Sequence, residues 1–587
     1  MPSFPFERLR PGQEKIMSAV EKAISSRGVL MVHAPTGMGK TAAVLHSALK
    51  ATEAEDVKIL FLTAKHTHQN IVYETMKRIN ASSGKSINFA GVNGKRSMCL
   101  LENSAEPAVF TEFCRAVREQ DMCNFYKNTF TKSKEVKGAV IEALNEEISD
   151  PASVMAAGEK FFLCPYELSL LNAKRSKVVV ANYSHAFDAE ISKGFLSKAG
   201  IIPSDTVLIV DEAHNLPGRI MDMNSFSISS RTLERAYKEV SSSGSHSVAK
   251  KVDKIIGMLR VARNDDRISA GGIFSDGDLI EIDDIIEANE KGYNVPASVT
   301  LKRFIGLLNR VDERFVVYAS KDGNSEKINI DSLDPEKYSK DVIKGYRSSI
   351  LISGTFKPMD MFANLLGINN SERLALETEV PENRLMINET DLTSKFSSRG
   401  EQYSMIAERI DELLDGFESN SIFFFPSYNF MNNTFTYMNN KEKVLREEPN
   451  IDREKKQEIM RQLSKPGRSL FAVINGNFSE SIGLKNNVIK MVCIVGVPFE
   501  PPSVRLKALQ AYYEKKFGNG FEYAQVLPSM IKTMQAAGRG IRSEKDRAAI
   551  ILMDTRYSSD VFKKYLPEGV ISVNGSPMGI ISEFGLF

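Results

Sequence analysis

A glycine-containing stretch near the start of the chain constrains the fold more than any other feature. Residues Ala34–Thr41 read APTGMGKT, between an apolar run at Gly28–Val32 and a helix-forming segment at Ala42–Leu45. Strand, glycine-rich turn and helix in this order are typical of a phosphate-binding loop. Ala34 stands where the strict pattern has its first glycine, so an ordinary turn between a strand and a helix is the alternative.

Each residue type in this stretch suits a bound nucleotide. Gly37 and Gly39 let backbone N–H groups curve around phosphates, where the helix N-terminus adds positive potential. Lys40 is placed to reach the outer phosphates, and the Thr41 hydroxyl is placed to ligate Mg²⁺. Upstream, the amide of Gln13 offers the donor and acceptor that adenine recognition needs. A solvated glutamine at a helix start is the alternative for Gln13.

A second motif supplies carboxylates. Asp211–His214 read DEAH and directly follow the apolar strand Thr206–Val210. Asp211 would hold Mg²⁺, because a hard cation prefers carboxylate oxygen. Glu212 would orient and deprotonate the attacking water. Four residues can match by chance, but their place after a strand and downstream of the loop predicts hydrolysis of a nucleoside triphosphate.

A third motif lies in the last third of the chain. Gln535–Arg542 carry Arg539 and Arg542 three residues apart, which predicts that both lie on one helix face. Permanently charged guanidinium groups suit the charge that develops on a γ-phosphate. A basic helix face that makes salt bridges is the alternative. A distant arginine pair makes sense if two domains close over one nucleotide.

Length and composition limit the remaining choices. A chain of 587 residues predicts roughly three to four domains. The 76 basic and 74 acidic residues leave a net charge of +2, so a nucleic-acid surface has to come from local clustering. No apolar run approaches the roughly 20 residues of a membrane span. Because the first residues also lack an apolar signal core, we expect a cytoplasmic protein with no membrane partner.

The order of motifs carries a family resemblance. Gln13, the loop, the DEAH box, Ser353-Gly354-Thr355, Phe425–Tyr428, Glu480 and Gln535–Arg542 resemble a superfamily-two helicase. The details, including Cys164-Pro165-Tyr166, are similar to its iron–sulfur branch, in particular the XPD helicase family. This resemblance implies an ATP-driven 5′-to-3′ DNA helicase that acts in nucleotide excision repair. It implies ATP, Mg²⁺ and a [4Fe–4S] cluster as cofactors, and Lys40, Asp211, Glu212, Gln535, Arg539 and Arg542 as catalytic residues.

The resemblance also implies a fold. We expect two RecA-like motor domains, each a parallel sheet with helices on both faces, the first interrupted by an iron–sulfur cluster insertion and a helical arch insertion. The predicted boundaries are motor domain 1 at 1–88, 173–221 and 346–375, the cluster domain at 89–172, the arch at 222–345 and motor domain 2 at 376–587. The charged segment Lys441–Lys465 is predicted to form a surface helix.

Four of the five cysteines fall in the first insertion. Cys99, Cys114, Cys123 and Cys164 are separated by 14, 8 and 40 residues, whereas Cys493 lies in an apolar strand and is expected in the core. Structural zinc sites favour close C-x₂₋₄-C pairs, and this segment has none. A [4Fe–4S] cluster, a zinc ion and plain buried thiols all remain open from spacing alone. The family resemblance favours the cluster.

Candidate DNA contacts carry a weaker signal. Lys95, Arg96 and Tyr166 flank the cysteines, and Lys65 and His66 follow the second strand. A basic track beside aromatic rings is typical of single-strand binding, although solvated lysines and core tyrosines are common.

The chain departs from the family pattern in three places. Ser481 replaces a glycine and Gly483 an aspartate after Glu480, and His66 stands at a usual arginine.

These observations favour a monomeric helicase that works on single-stranded and forked DNA, with repair-complex proteins as expected partners. Three alternatives remain at this point: an RNA-acting DEAH helicase, a DinG-type relative, and a non-catalytic nucleic-acid-binding scaffold stapled by zinc.

Overall fold

The computed structural model describes residues 4–35, 37–84, 86–101, 109–131, 133, 135–146, 148–289, 295–323, 325–376, 383–474, 476–478, 489–540 and 547–585. Its first sheet has seven parallel strands in the order β10-β1-β9-β5-β2-β4-β3. These strands are β1 Val29–His33, β2 Lys58–Thr63, β3 Phe89–Gly91, β4 Val178–Asn182, β5 Thr206–Asp211, β9 Ser348–Ser353 and β10 Glu372–Ala375.

Helices cover both faces of this sheet and complete motor domain 1. They are α1 Gln13–Ser25, α2 Lys40–Ala51, α3 His66–Ser83, α9 Ser184–Phe187, α10 Ala189–Lys198, α11 Leu216–Met223, α16 Glu336–Gly345 and α17 Met359–Leu366. Alternate strand residues point into two different hydrophobic clusters. Leu30 and Ile59 lie in one cluster and Met31 and Leu60 in the other, and all four are fully buried. A parallel sheet covered on both faces explains why its strands are continuous apolar runs.

The second sheet also has seven parallel strands, in the order β13-β14-β12-β15-β16-β11-β17. The strands are β11 Arg384–Glu389, β12 Asn420–Phe425, β13 Val444–Arg446, β14 Ser469–Val473, β15 Ile489–Val495, β16 Ala548–Met553 and β17 Ile571–Val573. Motor domain 2 adds the helices α18 Arg399–Gly416, α19 Tyr428–Tyr437, α20 Arg453–Leu463, α21 Val504–Phe517, α22 Leu527–Ala537, α23 Asp560–Lys563 and α24 Met578–Glu583. Two parallel-sheet α/β domains are thus confirmed.

The charged segment Lys441–Lys465 is not one helix, contrary to the prediction. It begins with a 3₁₀ turn and the short strand β13, and only Arg453–Leu463 is helical. Pro449 and Asn450 lie between the strand and the helix, and Asn450 adopts a left-handed backbone with φ of 57°. Proline lacks the N–H that a helix interior needs, so the helix starts after this pair.

The cysteine insertion is the segment between β3 and β4. After the 3₁₀ turn Lys95–Met98 it contains α4 Phe110–Glu119, α5 Asn124–Thr129, α6 Gly138–Asn145, α7 Pro151–Lys160 and α8 Pro165–Arg175. Its small cluster of Phe110, Phe113, Val117 and Cys123 is separate from the motor cores. The predicted domain boundaries stay predictions, although β3, which begins at residue 89, pairs with β4 in the motor sheet.

The arch insertion, predicted at residues 222–345 and as mostly helical, runs from β6 to β8, residues 226–332, in the structure. It does contain α12 Ser230–Ser242, α13 His246–Val261, α14 Asp276–Asn289 and α15 Ala297–Leu308. It also contains an antiparallel sheet in the order β6-β8-β7, built from β6 Phe226–Ser229, β7 Phe315–Asp322 and β8 Ser325–Ser332. Helices and sheet share one hydrophobic cluster. The segment is mostly helical, as predicted, and the three-stranded sheet is an addition that the sequence analysis did not predict.

The arch insertion contacts both the cysteine insertion and motor domain 2. Val295 packs against the arch core and against the small cluster of the cysteine insertion. On the other side, the Asp265 carboxylate accepts hydrogen bonds from the Val504 N–H at 2.8 and 2.9 Å, at the start of α21. Arg505 lies 3.2 Å from Asp331 on β8.

Among the described residues, none of the helices has the length and apolar character needed to cross a lipid bilayer.

Candidate functional site

The predicted phosphate-binding loop connects β1 to α2, as its sequence indicates. Gly37 and Gly39 have positive φ values of 89° and 76°, which glycine adopts without strain. Lys40 is buried at the first position of α2, and its Nζ donates to the Pro35 carbonyl at 3.2 Å. Thr41 follows in the first turn of the helix. The loop therefore places Lys40 and Thr41 in the first turn of α2, directly after the two glycines.

Gln13 lies against this loop. Its Nε2 donates to the carbonyls of Met38 and Gly39 at 2.9 and 3.2 Å, and its Oε1 accepts from the Arg10 N–H at 2.8 Å. A Cβ atom on Gly39 would lie only 2.5 Å from the Gln13 Nε2, so this close approach requires glycine. In this conformation the amide of Gln13 braces the loop, and reading adenine would require it to exchange these partners.

The DEAH box lies at the end of β5, two strands from β1 with β9 between them. Asp211 ends β5, is buried, and accepts from the Glu212 N–H at 2.9 Å. Burial and the neighbouring Glu212 raise the pKa of Asp211, whereas the nearby Lys40 lowers it. Glu212 has a φ of 50°, a left-handed backbone that is unusual for a residue with a side chain. A cation at this position would keep Asp211 ionised.

Tyr183, which the sequence reasoning passed over, supports this strained turn. Its buried hydroxyl donates to the carbonyl oxygens of Asp211 and Glu212, at 2.9 Å for Glu212. Tyr183 directly follows β4, and the end of a parallel strand is where a polar residue signals a site. That position was the one sequence signal available for it.

His214 connects the DEAH box to two other motifs. Its Nδ1 lies 2.7 Å from the Ser353 Oγ and 3.3 Å from Glu212 Oε2, and its Nε2 lies 2.6 Å from Gln535 Nε2. Burial lowers the pKa of His214 to about 4, so the ring is neutral. We assign the proton to Nδ1, which donates to Ser353, leaving Nε2 to accept from the Gln535 amide. Gln535 belongs to α22 of motor domain 2, so this pair joins the two motor domains.

The two predicted arginines follow Gln535. α22 ends at Ala537, and Arg539 lies in a 3₁₀ turn at Gly538–Gly540 rather than on the α-helix. Glycine on either side of Arg539 disfavours continuation of the helix. Arg542 lies outside the described residues, as do Glu480, Ser481, Gly483 and Thr36.

The structure brings all four insertion cysteines to one cavity. Cys99, Cys114, Cys123 and Cys164 line it, and its volume is about 30 Å³. Burial raises the pKa of Cys164 to about 12, and the pKa values of Cys99 and Cys123 are raised by burial and by neighbouring thiols. Within the described part of the chain, no three histidine, cysteine or carboxylate side chains are placed to ligate a single metal ion. Cys493 is fully buried in β15, as expected.

A buried carboxylate that the sequence reasoning missed anchors this insertion. Glu167, three residues after Cys164, is 3% exposed. It lies 3.5 Å from Arg118 of α4 and 2.7 Å from Lys198 of α10. Arg118 also stacks over the Tyr126 ring at 3.8 Å. This ion-pair network ties the cysteine insertion to motor domain 1.

The candidate DNA contacts fall into two places. Lys95 and Arg96 lie in the 3₁₀ turn at the cysteine cavity, and the Lys95 Nζ lies 5.7 Å from the centre of the Tyr166 ring. Tyr166 is buried and lines the cavity, so its face is covered by Lys95 rather than open to a base. Lys65 and His66 begin α3, and the charge of Lys65 contributes to lowering the pKa of His214.

Comparison with known proteins agrees with this geometry. Three family models match: DEAD/DEAH box helicase over residues 10–113, DEAD_2 over 62–233 and helicase C-terminal domain over 410–572. The ATP-dependent DNA helicase XPD of Sulfolobus acidocaldarius is 25% identical over 95% of this chain and 98% of its own length. The chain is an XPD-like helicase. The matched models of this XPD-like helicase contain its phosphate loop, its DEAH box and α22.

Other relatives also cover most of the XPD-like helicase. The ATP-dependent DNA helicase CHL1 of Debaryomyces hansenii is 22% identical over 86% of this chain and 72% of the relative. The general transcription and DNA repair factor IIH helicase subunit XPD of Dictyostelium discoideum is 20% identical over 97% of this chain and 88% of the relative. A solved structure named XPD_Helicase shares the fold, with a TM-score of 0.70, 23% identity and coverage of 97% of this chain and 100% of that one.

Proposed function

We propose that this ATP-dependent DNA helicase moves along single-stranded DNA from 5′ to 3′ and separates the duplex ahead of it. The observation that carries the proposal is the hydrogen bond between His214 and Gln535, which connects the DEAH box of one motor domain to α22 of the other. Work on DNA requires hydrolysis to change the relation of the two motors. The relatives named XPD and CHL1 are ATP-dependent DNA helicases, which supports DNA as the substrate.

The residues at the phosphate loop fit Mg²⁺ and ATP. Lys40 would bind the outer phosphates, while the Asp211 carboxylate and the Thr41 hydroxyl supply the hard oxygen ligands that Mg²⁺ prefers. Mg²⁺ bound by these residues would neutralise the negative charge of the phosphates. Glu212, held by Tyr183 in its left-handed turn, orients the attacking water and accepts its proton. Arg539 and Arg542 would stabilise the transition-state charge when the motors close.

The four cysteines fit a [4Fe–4S] cluster as a structural staple. Cluster thiolates bind four separate corners, so they surround a cavity instead of converging on one point. Cys99, Cys114, Cys123 and Cys164 line such a cavity. Absorption spectra of anaerobically purified protein, with iron, sulfide and zinc analysis, test this assignment. About four irons and four sulfides per chain support it, whereas stoichiometric zinc contradicts it.

We place the protein in nucleotide excision repair, as a monomeric motor that works beside other repair proteins. The relative from Dictyostelium discoideum, whose name joins XPD with DNA repair, supports this role. A reduced rate of lesion removal in cells that carry Lys40→Ala would agree with it. Normal removal would exclude it.

The direct test of the proposed function measures hydrolysis and unwinding together. We expect single-stranded DNA, but not RNA of the same sequence, to stimulate ATP hydrolysis strongly. Duplexes with a 5′ single-stranded overhang should unwind, and those with a 3′ overhang should not. Lys40→Ala should abolish both activities, with Lys50→Ala at the far end of α2 as the control. Equal unwinding of both overhangs would contradict the direction, and stimulation by RNA alone would contradict the substrate.

A further inference from the structure

The cysteine insertion holds an aromatic ring, that of Phe162, in solvent, where the ring does not stabilise the fold by burial. Phe162 is 65% exposed and has a φ of 54°. A bulky side chain in the left-handed region carries backbone strain, and an exposed phenylalanine recovers little of it by burial. Strained residues that present a side chain to solvent concentrate at functional sites. A contact outside this chain would account for this exposed ring.

Both sides of the residue hold Phe162 in place. The Asn128 Nδ2 donates to the Phe162 carbonyl at 3.2 Å, and the Leu163 N–H donates to the Gly158 carbonyl at 2.9 Å. Leu163 is fully buried, and the Cys164 N–H donates to the Thr129 Oγ1 at 2.9 Å. The left-handed turn is thus imposed by its neighbours, which direct the ring outward.

A second ring stands beside it. Phe125 lies parallel to Phe162, with 10° between the planes and 6.5 Å between the centroids. Phe125 follows Cys123 by two residues, and Phe162 precedes Cys164 by two. The ring pair is consequently fixed to two of the four cysteines that line the cavity. Any group that makes the cysteine insertion more rigid also makes the pair of Phe125 and Phe162 more rigid.

The chemistry around the rings suits nucleic acid. No aspartate or glutamate occurs from Met122 to Ser133 or from Lys160 to Tyr166, and the lysine at 127 is exposed. Aromatic rings on segments that carry lysines and no carboxylates are the elements with which proteins stack on bases. A protein partner that binds through apolar contacts would not require these two segments to lack acidic residues.

We propose that Phe162, supported by Phe125, stacks on the terminal base pair of the duplex at the fork junction. The ring caps the duplex end and favours the separated strands over the closed pair. This inference rests on the proposed function, because it assigns a contact to the unwinding that the motors drive. It names the residue that meets the duplex, which neither the motifs nor the comparisons indicate.

The test replaces Phe162 with asparagine in the full chain with its cysteines intact. Asparagine tolerates the left-handed backbone, so Phe162→Asn removes the ring without adding strain. We expect unwinding of 5′-overhang forks to slow by about 5- to 100-fold, the range that loss of one stacking ring implies. Hydrolysis stimulated by single-stranded DNA should be unchanged, and the melting temperature should stay the same or rise. A purely structural ring predicts the reverse, a lower melting temperature.

A junction probe keeps the result independent of unwinding. The fluorescence of 2-aminopurine at the first base pair of a fork should change on binding of the unaltered protein and of Phe162→Trp, but not of Phe162→Asn. Ile141→Ala, at an exposed residue of α6 in the same insertion, is the control and should behave like the unaltered protein. Identical probe signals and unwinding rates for Phe162→Asn and the unaltered protein would overturn the inference and leave the rings as a protein-binding surface.

The two proposals fail separately. If the unaltered protein does not unwind forks, the proposed function is wrong, and the junction probe still decides whether Phe162 contacts the duplex end. If the unaltered protein unwinds and Ile141→Ala loses as much activity as Phe162→Asn, the stacking assignment is wrong and the proposed function stands.

Discussion

The Gln535 Nε2 of motor domain 2 lies 2.6 Å from the His214 Nε2 of motor domain 1, although the two residues are 321 positions apart in the sequence. The neutral ring of His214, itself part of the DEAH box, also contacts Glu212 and Ser353. One side chain thus connects the DEAH box to the Ser353-Gly354-Thr355 segment and to α22. A change at the hydrolytic carboxylate therefore has a direct polar route to the second motor. Coupling between the motors should depend on this ring.

Replacing Gln535 tests that dependence. Gln535→Ala leaves the buried His214 Nε2 without its donor, a loss of about 1–3 kcal/mol in the joined state. We expect DNA-stimulated hydrolysis to fall by about tenfold or more, with little change in nucleotide binding. Ser529→Ala on the same helix is the control, because the Ser529 hydroxyl bonds only to Pro498 within motor domain 2. Equal turnover in Gln535→Ala and Ser529→Ala would show that the link is incidental.

Arg539 provides the second prediction. If its guanidinium reaches the γ-phosphate on closure, Arg539→Ala should lower turnover by about 10³-fold, the scale of an arginine finger. Nucleotide affinity in the absence of DNA should change far less, because the open motors do not use this contact. Single-turnover hydrolysis with saturating DNA measures the effect, and Arg547→Ala, whose guanidinium donates to the Phe584 carbonyl, is the control. Turnover within a few-fold of normal would remove Arg539 from the transition state.

The sequence predicted the two sheets and the phosphate loop well because local patterns encode them. Fully buried parallel strands are continuous apolar runs, and ligand-binding residues follow their ends. The partner of His214 had no local signal, since only the docking of the two sheets brings Gln535 to it. The arch sheet was missed although β8 alternates buried Ile328 and Ile330 with polar residues, a pattern of a half-buried strand.

The cysteines supply the third prediction. Cys164→Ser should abolish visible absorption by the cluster and loosen the cysteine insertion, because the insertion has only a small core of its own. Hydrolysis should largely remain, since the phosphate loop and the DEAH box lie in the motor sheets, whereas unwinding should be lost. Cys493→Ala, in the core of motor domain 2, should keep the absorption. Unwinding that survives loss of the cluster would refute a role for the insertion in strand separation.

Buried histidines make the protein sensitive to acid. Burial is the largest cause that lowers the pKa values of His33, His185 and His214 to about 4. Below pH 6.5 these histidines are protonated in the unfolded chain, but in the folded chain they stay neutral down to about pH 4. The free energy of unfolding therefore falls as pH drops from about 6.5 to 4. Each histidine contributes up to about 3 kcal/mol to this loss. Melting temperatures across this range measure it, and His185→Gln should flatten the slope; an unchanged slope would show that His185 is not responsible.

The contact between Asp265 and Val504 leads to the last prediction. Asp265 has a φ of 69°, and its own N–H donates to the Ala319 carbonyl of β7 at 2.9 Å, which fixes it to the arch sheet. Its carboxylate accepts from the first N–H of α21, where the helix dipole favours negative charge. The arch is thereby attached to the same motor domain that carries Gln535.

Asp265→Ala should remove about 1 kcal/mol from this attachment, the usual net value of a hydrogen bond. Hydrogen exchange at the Val504 amide should then rise about fivefold, while exchange in β16 stays as it was. Asp266→Ala is the matched control, because the neighbouring Asp266 carboxylate accepts from the Arg263 N–H within the arch. If motor movement reaches the arch through α21, Asp265→Ala should also separate fewer base pairs per ATP than Asp266→Ala. Faster exchange with unchanged coupling would confine Asp265 to a structural role.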